Sequence, residues 1–363
     1  MKEKKRMSKP KKILIIMFGS LFGLIFVAMA TFYGIFFNEV NAFLSIREEG
    51  STVYSMTYKN NYFFDDFLKT GASTDAELKN FLIKKLLHGI DINFDLPDYA
   101  CSCFTAKTSE NEHTFSRNLD IDFAPIMIVK TYPKNSYSSI SMVNLSALGF
   151  SDSNIPNALY DKLLLLATPY IPFDGVNEKG VAICVNMVNG DNIEQNTNKI
   201  DITTTALIRL VLDKAASVDE AIELIGQYDL HDSTGGPYHF LIADKTGKSV
   251  AVEYYQNNMQ VIASSKSYQI LTNHTLNDFE TELSTFNKTY ERYETIDNKL
   301  SETDGVLSIE KSLELLQDVK LSWDAYDGGG PGGALYSVVY NMDKLELHFV
   351  YRSETKKVYK FKL

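Results

Sequence analysis

The sequence predicts an α+β protein in which mainly antiparallel sheets are covered by helices, with one transmembrane helix ahead of them. Two observations indicate this class. The predicted elements come in blocks of strands, helices, strands, helices and strands, without the repeated βαβ units of a doubly wound parallel sheet. In front of these blocks lies an uncharged segment of 25 residues, Ile13 to Phe37. A two-sheet α-β-β-α sandwich is one arrangement that satisfies this order.

The uncharged segment from Ile13 to Phe37 is long enough to cross a membrane. As a helix, its 25 residues would span about 37 Å at 1.5 Å per residue. The basic residues before it predict a cytoplasmic segment at 1–12, a single-pass anchor in the cell membrane at 13–37 and an extracytoplasmic location for the remainder. A cleavable signal peptide is the alternative, because Ala28-Met29-Ala30 fits the small-x-small cleavage pattern. The apolar run continues beyond the usual length of a signal core, which favours the anchor.

The charge of the chain is divided unevenly along its length. The net charge is −10, but residues 1–12 carry seven basic side chains against Glu3, a local charge of +6 that leaves −16 for the rest. An acidic remainder is a poor candidate for binding nucleic acid, so we expect no nucleic-acid partner. The six histidines show no paired ligand spacing, and we expect neither a metal nor another cofactor.

Residues 38–100 form a juxtamembrane segment with one clear helix. Thr74 and Glu77 match a capping box, apolar residues recur after them with helical spacing, and Gly89 marks the end. After Cys101 the pattern changes to strands. The predicted strands are 114–117, 126–130, 181–187, 240–243, 249–255, 260–264, 268–272, 335–341, 344–351 and 357–362, and the predicted helices are 203–216, 217–225, 277–300 and 308–318.

Cys101 is one of three cysteines, with Cys103 and Cys184, and an odd number leaves at least one thiol unpaired within a chain. A bridge between Cys101 and Cys103 would be strained, because they are only two residues apart. If 101–106 and 113–119 pair as a hairpin, Arg117 and Asp120 return beside Cys101. The cation would favour a thiolate, and the carboxylate could hold an amine. The alternative is a surface Arg–Asp pair of little energetic value.

Several motifs around and after Cys101 resemble one superfamily. Cys-Ser-Cys-Phe at 101–104 and Ser-Arg-Asn-Leu-Asp at 116–120 resemble the start of the choloylglycine hydrolase and N-acylethanolamine acid amidase superfamily. These proteins are linear amide C–N hydrolases with the N-terminal nucleophile fold. The later motifs follow in order to about residue 352: Asp-Gly-Val-Asn-Glu-Lys-Gly-Val-Ala at 174–182, Ser-Val-Asp-Glu-Ala at 217–221, the hairpin at 239–253, Leu-Thr-Asn at 271–273 and Tyr-Ser-Val-Val-Tyr at 336–340. The resemblance implies a four-layer αββα sandwich.

The resemblance also implies roles for individual residues. Cys101 matches the nucleophile, Arg117 the residue beside its sulfur, and Asp120 the residue that holds its amine. Asn273 matches the side-chain donor to the oxyanion. On this basis we expect a propeptide-like segment at 38–100 and an amidase domain at 101–363, with a small N-acyl amide as substrate.

Two further site residues match the family less closely. Arg292, in Glu-Arg-Tyr, aligns with a later arginine of the catalytic site. Asn186 lies near the second oxyanion position, but it is one residue short of the family spacing after Asn177. A turn or strand-edge role is the alternative for Asn186 and for Asn273.

The family chemistry requires Cys101 to become a chain terminus. A free α-amine titrates near pH 7.7–8.0 and can take the thiol proton, whereas an internal peptide nitrogen is not basic. Many family members begin at this cysteine, but here one hundred residues precede it. The sequence resembles the branch that is made as an inactive precursor. The hypothesis is a Cys101-dependent, autocatalytic cut between Ala100 and Cys101.

Other functions compete with this interpretation. Cys103, His239 and Asn273 follow the order of a papain-like protease, but the residues after Cys103 are polar and turn-forming rather than the start of a long buried helix. An acyltransferase on the same scaffold and an inactive, membrane-anchored binding protein are the remaining alternatives. The run from Asp324 to Gly333 lacks the ligand periodicity of a calcium loop and the lysine of a phosphate loop, which favours a flexible loop at the pocket rim.

Overall fold

Two β-sheets form the body of the protein in the computed structural model, which describes residues 8–94, 99–233, 236–277, 288–323 and 332–363. The α-helices of the described residues are α1 (Lys9–Ile35), α2 (Phe37–Leu44), α3 (Phe64–Thr70), α4 (Asp75–Lys85), α5 (Leu159–Leu164), α6 (Thr204–Lys214), α7 (Val218–Ile225), α8 (Thr289–Glu302) and α9 (Ile309–Asp318). Short 3-10 helices lie at Leu145–Leu148 and Leu165–Tyr170.

The strands fall in two main sheets and one small pair. They are β1 (Arg47–Gly50), β2 (Val53–Lys59), β3 (Ala100–Lys107), β4 (His113–Asp122), β5 (Ile126–Tyr132), β6 (Ser139–Asn144), β7 (Asp174–Asn177), β8 (Val181–Met187), β9 (Ile200–Thr203), β10 (Tyr228–His231), β11 (Tyr238–Asp244), β12 (Ser249–Tyr255), β13 (Asn258–Ala263), β14 (Ile270–Leu271), β15 (Ser322–Trp323), β16 (Gly332–Asn341), β17 (Glu346–Tyr351) and β18 (Val358–Lys362).

The first sheet has the order β1-β2-β5-β6-β7-β8-β11-β12-β13, and the second has the order β14-β3-β4-β16-β17-β18, with β15 paired to β16. Neighbouring strands in both sheets are antiparallel except β2 and β5, which are parallel. Strand β3 contacts β8 and β11 across the interface between the sheets. Helices α6 and α7 pack on the first sheet, and α8 and α9 pack on the second. The predicted α+β class is confirmed.

The central strands are covered on both faces, which explains their sequences. All ten residues of β16 are buried, and so are eight of the ten in β4. A strand covered by a helix on one face and by a second sheet on the other has no solvent face, so simple alternation of apolar and polar residues is lost. Polar side chains on these strands must therefore find hydrogen-bond partners inside the protein.

Several predicted elements lie where the sequence indicated. The hairpin of 101–106 with 113–119 is present as β3 and β4, with Cys103 opposite Arg117. Thr74 caps α4 by accepting from the Glu77 amide, although the Glu77 carboxylate accepts from the backbone of Ser73 rather than completing the predicted box. Strand–strand pairs that are distant in sequence, such as β2 with β5, were outside the prediction.

Other boundaries differ from the prediction. The predicted helix at 203–216 is α6, and its first residue, Thr203, ends β9 because β9 pairs in parallel with β10. The predicted strand at 268–272 is reduced to β14 by its short pairing with β3. The predicted helix at 277–300 is described only as α8, since 278–287 lie outside the described residues. Residues 324–331 of the predicted rim loop also lie outside them.

The segment before Cys101 shares a core with the rest of the chain. Strand β2 is an internal strand of the first sheet, because it lies between β1 and β5. Phe64 and Phe67 of α3 pack against the ring of Tyr170, with ring centroids 5.6 Å and 5.8 Å away. The residues before and after Cys101 therefore belong to one core. The cleavage at Cys101 remains a prediction.

Helix α1 is 27 residues long and has no buried residue. Its length and apolar composition are sufficient to cross a membrane. The Ala28-Met29-Ala30 sequence lies inside this helix without interrupting it. Helix α2 follows at once and packs against β2, with Ala42 fully buried. The apolar helix is thus joined to the folded part by a very short connection.

We expect Phe67→Ala to lower the free energy of unfolding by about 3–5 kcal/mol, because a fully buried aromatic ring is lost from a packed cluster. Chemical denaturation of the full chain in detergent, followed by circular dichroism, measures this change. Tyr255→Ala is the matched control, because Tyr255 is 62% exposed and its loss should change the value by less than about 0.5 kcal/mol. Equal effects of the two substitutions would contradict the shared core.

Candidate active site

Cys101 and Arg117 meet on the face of the β3–β4 hairpin that points toward the first sheet. Cys103 lies opposite Arg117, so Cys101 is the diagonal neighbour of Arg117 on the same face. Diagonal neighbours lie within reach of a long side chain. The Arg117 Nη2 atom is 3.1 Å from Cys101 Sγ, and both side chains are fully buried. The predicted contact between guanidinium and thiol is therefore present.

Arg117 also joins the two sheets. Its Nη2 atom donates to the Val185 carbonyl at 2.8 Å, and its Nη1 atom donates to Asp174 Oδ2 at 2.8 Å and to the Phe173 carbonyl. Asp174 in turn accepts from the hydroxyl of Tyr336 at 2.6 Å and from that of Tyr340. A buried ion pair needs hydrogen bonds to its remaining polar atoms. The two tyrosines provide them for the carboxylate of Asp174, whereas Arg117 Nε has no hydrogen-bond partner among the described residues.

Burial dominates the electrostatics of the thiol. It raises the pKa of Cys101 to about 12, although the Arg117 guanidinium acts in the opposite direction. At neutral pH the thiol of the uncut chain is therefore protonated. Arg117 alone does not make Cys101 a thiolate, so nucleophilic chemistry at this sulfur requires a base.

Asn273 and Arg292 hold the backbone of Cys101. The Cys101 amide donates to Asn273 Oδ1 at 2.9 Å, and Arg292 Nη2 donates to the same oxygen at 2.6 Å. Asn273 Nδ2 donates to the Met187 carbonyl at 2.7 Å, so its three partners define the orientation of the amide. Arg292 Nη1 donates to Ser102 Oγ at 2.7 Å and to the Cys101 carbonyl.

Asp120 lies on the opposite face of the hairpin, beside the peptide bond that precedes Cys101. It pairs with Ala100 across the β3–β4 ladder and is fully buried. Its Oδ1 atom accepts from the Leu321 amide at 3.2 Å, whereas Oδ2 has no hydrogen-bond partner among the described residues. Burial raises the pKa of Asp120 to about 7, opposed mainly by the charge of Arg292. A nearby cation would satisfy this carboxylate.

The hydrogen bonds of Asn186 go to residues other than Cys101. Its Oδ1 atom accepts from the Cys103 thiol at 3.0 Å. Its Nδ2 atom donates to the carbonyls of Leu271 and Thr272 at 3.2 and 3.1 Å, so both amide hydrogens are engaged. Asn186 therefore links β8 to the segment that carries Asn273, and its role as an oxyanion donor stays a prediction.

A cavity of about 520 Å³ opens beside Asn273. Its wall includes Asn189, Tyr238, His239, Glu253 and Tyr290. This volume falls within the range of small-molecule sites. Cys101 itself is fully buried and does not line the cavity, so the thiol and the cavity are separate in the uncut chain.

Tyr99 occupies the space next to the thiol. Its ring is 3% exposed and lies between those of Phe173 and Tyr238, with centroid distances of 5.5 and 5.8 Å. The Tyr99 hydroxyl has no hydrogen-bond partner among the described residues. The residue two positions before Cys101 thus fills an aromatic slot, and one wall of this slot, Tyr238, also lines the cavity.

Sequence reasoning missed the residues that support Arg117. The motif at 174–182 implies no role for Asp174, and the motif at 336–340 predicts only a closing strand. Tyr336 and Tyr340 are four residues apart, which places both on one face of a strand and was a usable signal. No sequence signal pairs Asp174 with Arg117, which lies 57 residues away. Among the described residues, no group of three His, Cys, Asp or Glu side chains could hold a metal ion.

Comparison with known proteins identifies the class of this fold and then the family. The structure is similar to that of a mutant conjugated bile acid hydrolase from Clostridium perfringens, with a TM-score of 0.53, 15% identity and coverage of 72% of this chain and 92% of that one. Penicillin V acylase from Agrobacterium tumefaciens gives the same TM-score and identity, with 72% and 86% coverage. At this identity the likeness shows an α+β fold of the N-terminal nucleophile hydrolase type.

The sequence comparisons identify the family. The profile of the acyl-coenzyme A:6-aminopenicillanic acid acyl-transferase family matches residues 171–356, just over half of the chain. The chain therefore belongs to this family, which includes the choloylglycine hydrolases and penicillin V acylases. The predicted resemblance is confirmed.

Curated relatives match shorter stretches. A penicillin V acylase of Pectobacterium atrosepticum is 32% identical over 111 residues, which cover 28% of this chain and 29% of that protein. A bile salt hydrolase/transferase of Clostridium perfringens is 25% identical over 189 residues, which cover 46% and 54%. The matches thus span about half or less of the length of these relatives.

We expect the stability of the uncut protein to fall as pH rises through 7, because of Asp120. The pKa of this carboxyl is about 7 when folded and near 3.8 otherwise, so the folded state binds more protons between these values. The stabilisation is complete below pH 4 and is lost as the buried carboxyl ionises. Thermal midpoints between pH 5 and 8 should decline more steeply for Cys101→Ala than for Cys101→Ala/Asp120→Asn. An equal decline of the thermal midpoint with pH in the two variants would show that Asp120 does not titrate in this range.

Proposed function

We propose that this chain is a membrane-anchored amidase with a four-layer αββα N-terminal nucleophile fold and with its catalytic part on the extracytoplasmic side of the membrane. It hydrolyses the linear C–N amide bond of a small N-acyl substrate, and its nucleophile is Cys101 after cleavage of the Ala100–Cys101 bond. One observation carries the proposal: two different atoms of Cys101 are held by predicted site residues. Arg117 lies 3.1 Å from Sγ, and Asn273 accepts from the amide nitrogen at 2.9 Å.

Cleavage supplies the base that the thiol needs. The pKa of Cys101 is about 12, so its thiol gives up a proton only to a nearby base. A free α-amine on Cys101 titrates near pH 8 and is attached to the nucleophile itself. The amine would lie where the peptide nitrogen lies now, beside Asn273 Oδ1, and the unpartnered Oδ2 of Asp120 would receive its charge.

The reaction then follows from these positions. The α-amine takes the thiol proton, Sγ attacks the substrate carbonyl, and the oxyanion forms near Asn273. The resulting ammonium protonates the leaving amine as the C–N bond breaks, which leaves a thioester on Cys101. Water, deprotonated by the same amine, hydrolyses the thioester and restores the thiol. Loss of one oxyanion donor typically lowers the rate by about 10²–10³.

Asn186 is the further candidate for an oxyanion donor. It would act only after giving up one of its two bonds to the carbonyls of Leu271 and Thr272. Arg292 is the positioning residue for the nucleophile, because it donates to the Cys101 carbonyl and to Asn273 Oδ1. Both assignments are part of the proposal.

The uncut chain lacks access for a substrate. Cys101 is fully buried, and the Tyr99 ring fills the slot between Phe173 and Tyr238. Cleavage makes Ala100 a free chain end, so that Tyr99 can leave this slot. The thiol would then open toward the cavity beside Asn273. This supports a precursor that is inactive until the bond is cut.

Acyl transfer is the second candidate, favoured by the description of the matching family as acyl-transferases. The thioester on Cys101 can be attacked by an amine instead of water. Addition of a free amine acceptor during turnover separates the two activities. A new amide formed at the expense of the free acid would indicate a transferase.

We expect purified active protein to contain a chain that begins at Cys101, and Cys101→Ala to abolish both the cut and the hydrolysis of a panel of chromogenic N-acyl amides. The reason is that Cys101 supplies the nucleophile for both reactions, and its freed α-amine supplies the base for the hydrolysis. N-terminal sequencing, labelling by a thiol-reactive probe and amide turnover measure these effects. Cys103→Ala is the matched control and should retain cleavage and most activity. Active protein with an intact Ala100–Cys101 bond would contradict the proposal.

We expect the two pieces of the cut protein to stay together. Strand β2 lies inside the first sheet and the aromatic rings of α3 are buried, so both pieces contribute to one core. The pieces should separate on a denaturing gel but coelute on size exclusion in detergent, and they should leave the membrane only with detergent. Met56→Asp, which places a charge at a buried position of β2, should weaken the association. Release of 101–363 into a detergent-free wash would contradict the prediction.

A further inference from the structure

Cys103 and Cys184 meet between the two sheets, beside the site but outside the proposed chemistry. Cys103 lies in β3 of the second sheet and Cys184 in β8 of the first. Their Sγ atoms are 2.9 Å apart, and both side chains are fully buried. This pair is separate from Cys101, whose sulfur faces Arg117.

The two sulfur atoms are too close for ordinary contact. Non-bonded carbon atoms, which are smaller than sulfur, attract best at about 3.5–4.0 Å. A disulfide bond requires about 2.05 Å, so an approach of less than about 1 Å would complete one. Inter-sheet disulfides of this kind occur in other two-sheet sandwiches. The Cys101–Cys103 alternative joins residues two apart in one strand and would be strained.

We propose that Cys103 and Cys184 form an inter-sheet disulfide bond in the exported protein. The proposal rests on the extracytoplasmic location within the proposed function, and it does not depend on amidase activity. An oxidising compartment permits such bonds, whereas a reducing one keeps the thiols reduced.

The bond forms by thiol–disulfide exchange with an oxidant that itself carries a disulfide. One cysteine thiolate attacks the oxidant and forms a mixed disulfide, and one oxidant thiol leaves. The second cysteine thiolate then displaces the other oxidant thiol. The pair has lost two electrons and two protons, and the oxidant has become two thiols. Because both sulfurs are buried in the folded protein, exchange must occur before the sheets close.

The bond would add a covalent link beside the site, where the hydrogen bonds of Arg117 already join the two sheets. Cys184 precedes Val185, whose carbonyl accepts from Arg117 at 2.8 Å, and Cys103 follows the nucleophile by two residues on the same face. The bridge therefore holds β3 and β8 together where Arg117 meets Cys101. It also leaves Cys101 as the single thiol, and so removes Cys103 as a partner for unwanted pairing.

Oxidation would change one neighbour. Asn186 Oδ1 accepts from the Cys103 thiol at 3.0 Å, and that hydrogen is lost when the disulfide forms. The two bonds from Asn186 Nδ2 to the carbonyls of Leu271 and Thr272 remain. The link from β8 to the segment of Asn273 is therefore preserved in both redox states.

Thiol counting in the full chain tests the proposal. The protein is produced in a host with an oxidising exterior, the side of the membrane is determined by protease accessibility in intact cells, and the thiols are blocked with N-ethylmaleimide in denaturant. Peptide mapping without reductant should show Cys103 linked to Cys184 and only Cys101 alkylated. Three alkylated cysteines in a protein with an exported domain would overturn the proposal.

If the domain is found inside the cell, the export part of the proposed function fails, and the pair is tested directly. The Cys101→Ala chain, which is expected to stay uncut, is unfolded, reduced and refolded in detergent with oxidised and reduced glutathione. Cys103 and Cys184 should then become linked, and their failure to do so in the refolded protein would overturn the geometric inference. In the peptide-mapping experiment Cys101→Ala is the control, since it should leave the bond intact.

Thermal unfolding provides a second measurement. The oxidised chain should unfold at a midpoint about 5–10 °C above that of the reduced chain, because the bond closes a loop of about eighty residues. The Cys103→Ala/Cys184→Ala variant should show no difference between oxidised and reduced samples. If the unfolding midpoint of that variant still differed between oxidised and reduced samples, another group would cause the difference, and the proposal would be contradicted.

Discussion

The buried guanidinium of Arg117 is the interaction on which the site depends. It extends from the second sheet to Asp174 and to the carbonyls of Phe173 and Val185 in and beside the first, and it also contacts the sulfur of Cys101. A charge in this position must be paired, because an uncompensated buried charge costs several kcal/mol. The carboxylate of Asp174 provides the opposite charge, and the hydroxyls of Tyr336 and Tyr340 donate to that carboxylate. Sheet packing and the position of the nucleophile are therefore fixed by one network.

A second network surrounds the nitrogen of Cys101 instead of its sulfur. Asn273, Arg292 and Asp120 lie around the peptide bond that is proposed to be cut, and one carboxylate oxygen has no partner among the described residues. While the bond is intact, Oδ2 of Asp120 thus lacks a hydrogen-bond partner among the described residues. A new positive charge on that nitrogen would satisfy Asp120 and would place the base next to the thiol. The hydrogen bonds of Arg117 would not have to change when this charge forms.

The sequence allowed the local parts of this arrangement to be predicted. The hairpin of β3 and β4 follows from a polar turn between two strands, and it brings Arg117 to Cys101 without long-range information. The resemblance to a known family added Asn273 and Arg292. The parallel pairing of β2 with β5 and the bond from Arg117 to Asp174 could not be predicted, because packing between residues distant in the chain decides both. The role of Asn186 could not be predicted from alignment alone, since its side-chain oxygen accepts from the thiol of Cys103.

The parallel pairing of β2 with β5 has a consequence for how the cut protein can fold. Parallel neighbours need a crossover connection, and here the crossover contains the Ala100–Cys101 bond. While the bond is intact, the strands meet at the high effective concentration of a single chain. If the bond is cut as proposed, the same pairing becomes a bimolecular event that depends on dilution. Folding would then have to precede the proposed cleavage, and the cut protein would be protected by slow dissociation rather than by the ability to refold.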